Sequence, residues 1–138
     1  MSLLTSFLRC FLAMSLVLFI GCASYGEHKQ LDLLDERTEH YETALRWGRY
    51  DIARAFIRNK VPGRIAENPD GLNQIKITSY KLLGRNVLED NKEAEQKVEI
   101  KFYNIDNLIE KTITDNQTWI FDKDLENWFL SSGLPDFQ

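Results

Sequence analysis

The chain has 138 residues, a formal net charge of −4 and two cysteines. That length holds one domain with one sizeable core and excludes a multidomain enzyme. The acidic balance argues against nucleic-acid binding, and two cysteines cannot build a disulfide scaffold. Residues 1–21 stand apart, with Arg9 as their sole charge. An apolar run of 11 residues, Cys10 to Ile20, follows Arg9 and leads into Gly21-Cys22. A positive n-region, a short apolar stretch and a small residue at the cut are the parts of a secretory signal peptide. The run falls short of the ~20 residues that a spanning helix needs. A permanent anchor reaching back to Leu3 would bury Arg9, at a cost of about 2.5–3.5 kcal/mol.

Phe19-Ile20-Gly21-Cys22 resembles the lipobox of bacterial lipoproteins, an aliphatic residue, a small residue, Gly or Ala, then Cys. Gly21 and Cys22 match the pattern, whereas Phe19 and Ile20 are bulkier than its usual residues. The resemblance implies lipidation of Cys22, by a diacylglycerol on sulfur and a third chain on the new amino group. Two or more chains give stable anchoring, at ~0.8 kcal/mol per buried methylene. Residue +2 is Ala23 rather than Asp, which in that family implies sorting to the outer membrane, facing the periplasm. Cys10 then leaves with the signal peptide and Cys22 is capped, so stability rests on packing rather than on a disulfide. The expected layout is a signal peptide over 1–21, lipidated Cys22 and a polar tether over 22–28, and one domain over 29–138.

The periodicity predicts a helix from about Gln30 to Trp47, with Leu31, Leu34, Thr38, Tyr41 and Leu45 on one face and Gly48 as its stop. A second helix is expected from Tyr50 to about Asn59, striped by Ile52, Ala53, Phe56 and Ile57 and ended by Val61-Pro62-Gly63. Asn68-Pro69-Asp70-Gly71 is a turn signal. The period then drops toward 2. Ile75 and Ile77 open a strand that continues through Tyr80 to Leu83, and Asn86 to Glu93 reads as a hairpin loop. Ala94, Gln96, Val98, Ile100 and Phe102 alternate with Glu95, Lys97, Glu99 and Lys101, the pattern of a half-exposed antiparallel strand. Leu108 to Phe121 predicts a third strand, bulged near Asp115-Asn116. A turn over Asp122 to Asp124 and a short strand at Trp128 to Leu130 follow, and Pro135 and a polar tail end the fold.

Helices followed by strands predict an α+β domain, with the N-terminal helices packed on a roughly four-stranded antiparallel sheet. This order, with Leu45-Arg46-Trp47-Gly48, the helix from Tyr50 to Phe56, and Trp119, Phe121 and Trp128 in the closing hairpin, resembles the cone-shaped nuclear-transport-factor-two-like (cystatin-like) superfamily. The likeness rests on topology and aromatic placement, and no catalytic residue of that superfamily maps onto this chain. Gly48 to Ala53 also resembles the joint of a tetratricopeptide repeat, but no second copy follows.

Candidate chemistry is sparse. His28 and His40 are the only histidines, and zinc needs three or four convergent ligands. Thr38 and Thr43 flank His40 without forming a triad. Asp122-Lys123-Asp124 begins like a calcium loop, yet its sixth position is Asn127 rather than Gly. No catalytic, metal or cofactor residue is therefore assigned. Arg46, Arg49, Arg54, Arg58, Lys60 and Arg64 form a basic run, read either as a solvated face or as a patch for anionic headgroups, peptidoglycan carboxylates or an acidic partner. Trp47, Trp119, Trp128, Tyr41, Tyr50, Tyr80 and Tyr103 either line a cone-shaped pocket or belong to the core. The sequence thus leads to the expectation of a non-enzymatic lipoprotein of the outer membrane, held through Cys22, whose domain binds an envelope protein. Binding of a small ligand or lipid in the cone is the alternative.

Overall fold

In the computed structural model, residues 21–58, 69–88 and 91–138 are described. The signal-peptide residues before Gly21, the Pro62-Gly63 stop, Lys60 and Arg64 lie outside them. Among the described residues, three helices, α1 (Gly21–Arg46), α2 (Tyr50–Ala55) and the single turn α3 (Pro69–Leu72), precede four strands, β1 (Ile75–Val87), β2 (Glu93–Asn104), β3 (Glu110–Asp122) and β4 (Asn127–Leu130). The strands pair antiparallel in chain order, a meander with β1 and β4 at its edges. Helices α1 and α2 pack on one face, so the α+β architecture read from the sequence holds.

Helix α1 stops where Gly48 adopts φ +67°. The Arg49 N–H reaches the Ala44 carbonyl at 2.8 Å and the Gly48 N–H reaches Leu45 at 3.0 Å, the paired bonds of a Schellman cap. At its other end α1 takes in residues 23–28, expected as a tether ahead of the helix. That stretch has one glycine and no proline, and extending an existing helix costs far less than nucleating one. Leu34, Thr38, Tyr41 and Leu45 are buried along one face as the spacing predicts.

Three other expectations are corrected. Helix α2 ends at Ala55 instead of continuing to Asn59. Phe56 to Arg58 cover the edge of β4 instead: Leu130 N–H donates to the Phe56 carbonyl at 2.8 Å, and Arg58 N–H to the Leu130 carbonyl at 3.0 Å. Strand β3 begins at Glu110 rather than Leu108 and runs without a bulge at Asp115-Asn116. Its polar inward residues have partners across the sheet, so nothing requires the strand to break step. The register shifts occur in β1, between Ile77 and Ser79 and between Leu82 and Gly84. Finally, the tail is part of the core: Leu134 is buried, and the Phe137 ring meets Phe102 at 5.0 Å and Tyr50 at 6.2 Å.

Candidate functional site

The aromatic side chains show first what the fold does with its interior. Trp119, Trp128 and Tyr41 are fully buried and Tyr50 nearly so. Tyr41 meets Trp119 edge-on at 5.5 Å and Phe56 at 5.7 Å, and the Trp128 indole N–H donates to the Gln30 carbonyl at 2.8 Å. These four rings, weighed as a pocket lining, are core. Trp47 is the exception at 78% exposed, and Tyr103 is half-buried on the outward face of β2.

Tyr80 belongs to a polar cluster on the inward face of the sheet. Gln117, fully buried, is its hub. Its amide nitrogen donates to the Tyr80 hydroxyl at 3.0 Å and to Asp115 Oδ2 at 2.8 Å. Its Oε1 accepts from Gln96 Nε2 at 2.6 Å and from the Trp119 indole at 3.3 Å. Arg85 extends the cluster to the helix: Nε donates to Gln96 Oε1 at 3.0 Å and Nη2 to Thr38 Oγ1 at 2.9 Å, with Asp35 completing an ion pair. Burial raises the Tyr80 pKa, while the Gln117 hydrogen bond opposes the shift. The network holds α1, β1, β2 and β3 in one register. It joins no nucleophile to a general base.

Sequence reading missed this cluster, although a signal was present. Ile113, Asp115, Gln117 and Trp119 share the parity of the inward residues of β3, and Gln96 that of Ile100 in β2. Polar residues at inward positions point to a buried network. On the opposite face, Asn86, Glu95, Lys97, Asn116 and Thr118 border a groove of about 570 Å³ beside Gly84.

The remaining candidates disperse. His28 and His40 are exposed, and among the described residues no group of three His, Cys, Asp or Glu could hold a metal ion. Asp122 Oδ1 accepts the backbone N–H of Asp124 at 2.9 Å and of Leu125 at 3.1 Å, which makes this segment a side-chain-capped turn. Within the basic run, Arg46 pairs with Glu42 at 3.3 Å, Arg58 pairs with Asp122, and Arg49 is exposed. Cys22 and Ala23 stand in the first turn of α1.

Large exposed apolar side chains occur along β1 at Leu82 and Leu83, on β3 at Ile120, in the other two hairpin connections at Leu88 and Leu125, and at the end of the sheet away from that turn. Leu108 is 72% and Ile109 62% exposed at the β2–β3 hairpin tip, beside exposed Ile105. Ile105 N–H donates to the Gln74 carbonyl just before β1, and the Tyr50 hydroxyl, just after the α1 stop, donates to the Ile75 carbonyl at 3.4 Å, so the α1 stop with Trp47 sits at the same end. Trp47 also borders a groove of about 640 Å³ with His40, Thr43, Arg49 and Ile52. Comparison with protein-family models, curated proteins and solved structures finds no match.

Proposed function

We propose that this chain is a lipoprotein of the outer membrane, anchored through Cys22 and facing the periplasm, whose domain is a non-enzymatic module for binding another envelope protein. The address rests on Arg9, the apolar run and the likeness of residues 19–22 to a lipobox. No helix among the described residues is long and apolar enough to cross a membrane. The observation that carries the interaction reading is the exposure of Trp47, Ile105, Leu108 and Ile109 at one end of a domain whose other large aromatics are mostly buried. Neighbouring exposed apolar side chains, as at Ile105, Leu108 and Ile109, mark an interaction site more often than ones scattered singly. The likeness to the cystatin-like superfamily fits the helix-on-meander layout and stays part of this proposal.

The test has two arms. Cys22→Ser should abolish incorporation of radiolabelled palmitate and release the protein from the membrane fraction; undiminished label would refute anchoring. A photo-crosslinking residue at position 108 should give a discrete adduct in the native envelope, and one at outward-facing position 97 should not. The same adduct pattern at both positions would remove the support for a defined interface.

A further inference from the structure

We propose that the groove between α1 and α2 receives an amphipathic helix of the envelope partner, one that carries an acidic residue to meet Arg49. The groove measures about 640 Å³. Its floor is apolar: Ala44 and Phe56 are buried and Ile52 is half-buried. His40, Trp47 and Arg49 stand exposed along its rim. The Schellman cap at Gly48 fixes the backbone between Trp47 and Arg49. An indole and a guanidinium are thus carried side by side on a set turn, and these two side chains are enriched at binding hot spots. The inference rests on reading this end of the domain as an interaction surface, and it names the chemistry of the partner there.

Shape selects the kind of occupant. The rim is exposed, so a small molecule here would keep much of its surface in water, whereas ligand sites bury most of it. A segment of a partner protein brings its own cover. The walls are helices, whose backbone groups are bonded internally. An extended segment would find no ladder to join and would leave its own N–H and C=O groups unpaired over an apolar floor. A helix satisfies its own backbone. His40 and Trp47 lie seven residues apart on one helical run, since the Trp47 N–H still bonds to the Thr43 carbonyl at 3.1 Å. That is two turns, or about 10.5 Å, the distance from i to i+7 in a docking helix. Charge then selects the sequence. The chain has a net charge of −4, yet no Asp or Glu borders this groove. Nearby Glu42 is held by Arg46 at 3.3 Å. Among the described residues no carboxylate lies within ion-pair distance of Arg49. An acidic residue at one end of the partner's apolar stripe supplies that counter-ion.

The experiment uses the full chain in its native envelope. A photo-crosslinking residue at position 43, on the rim between His40 and Trp47, should give a protein adduct that one at position 97 does not. Mass spectrometry should map it to a segment with apolar residues at i, i+3 or i+4 and i+7 and an Asp or Glu at one end of that stripe. A synthetic peptide of the mapped segment should bind the full chain in phosphatidylcholine nanodiscs and shield Trp47 from iodide quenching, because Trp119 and Trp128 are buried. Arg49→Glu should weaken the peptide by about tenfold or more, and a peptide with Lys in place of its acidic residue should recover most of that loss. Unchanged far-UV circular dichroism qualifies the variant; if Arg49→Glu does not fold, Arg49→Gln decides, with a loss of several-fold expected. An adduct at position 108 without one at position 43 would overturn the groove and leave the interface standing; adducts at neither would remove both. A lipid adduct, an adduct to a second copy of this chain, a mapped segment without the stripe or the acidic residue, or equal affinity in variant and wild type would also overturn the groove.

Discussion

Adjacent residues of β2 test the sheet one side chain at a time. Ile100 is fully buried opposite Tyr80 and Ile113, while Lys101 points to the other face. Ile100→Ala removes packed atoms that neighbours cannot fully replace and should cost about 2–5 kcal/mol in urea unfolding. Lys101→Ala should change stability by less than about 0.5 kcal/mol. Equal effects would mean that the two faces are not distinguished by packing. Two tyrosines add a pH dependence. Burial pushes the Tyr50 hydroxyl up to about 12 and the Tyr80 hydroxyl higher than its ordinary 10. Folding favours the protonated form of each, so their contribution is complete below about pH 10 and is lost as pH rises through the folded values. The urea midpoint should hold up to about pH 10 and fall above it. The double variant Tyr50→Phe/Tyr80→Phe should flatten that fall; an identical fall would assign it to other groups.

At the scale of elements, the α1 stop is the sharpest local device. Gly48 has φ +67°, where a side chain clashes with its own backbone, and Gly48→Ala should destabilise the domain by about 1 kcal/mol. Calorimetry showing no loss would mean that the turn relaxes freely. The same residue shows what is legible in a sequence: a glycine after a 3.6-period stripe, and the clean alternation of β2, each follow from one rule acting alone. Strand β1 is only loosely legible because its inward residues, Ile77, Tyr80, Leu82, Arg85 and Val87, do not alternate. Two register shifts restore the phase, and each depends on pairing with β2 rather than on β1 itself. The end of α2 is hidden from the sequence for a similar reason. Phe56 and Ile57 suit a helical stripe, but the short β4 edge needs hydrogen-bond partners, and this demand arises some seventy residues away. The polar cluster around Gln117 and the groove beside Trp47 each join residues from separate elements. Neither has a local motif to announce it.

The whole molecule combines a packed domain with a helix that outruns it. Helix α1 has 26 residues and so extends about 39 Å, and among its side chains whose burial is described the first buried one is Leu34. With lipids on Cys22, as proposed, the leading turns would hold the domain off the bilayer and direct the exposed end with Trp47 and Leu108 away from it. Folding should proceed without those leading turns. Among the described residues, one long-range tie is the Gln30 carbonyl, which accepts the buried Trp128 indole at 2.8 Å, and another is Asp35 with Arg85. Residues 29–138 keep both, and should unfold in urea as a soluble two-state domain, with circular dichroism and tryptophan fluorescence tracing one transition. A chain beginning at residue 36 loses Leu34, the Asp35 pair and the acceptor for Trp128. An orphaned buried N–H costs about 1–3 kcal/mol and a deleted core leucine about 2–5 kcal/mol. Together these rival the ~5–15 kcal/mol stability of an entire domain, so the shorter chain should be largely unfolded or bind hydrophobic dye without a cooperative transition. Equal midpoints for the two chains would show that the first packed turns of α1 do not hold the sheet, and that the core closes without them.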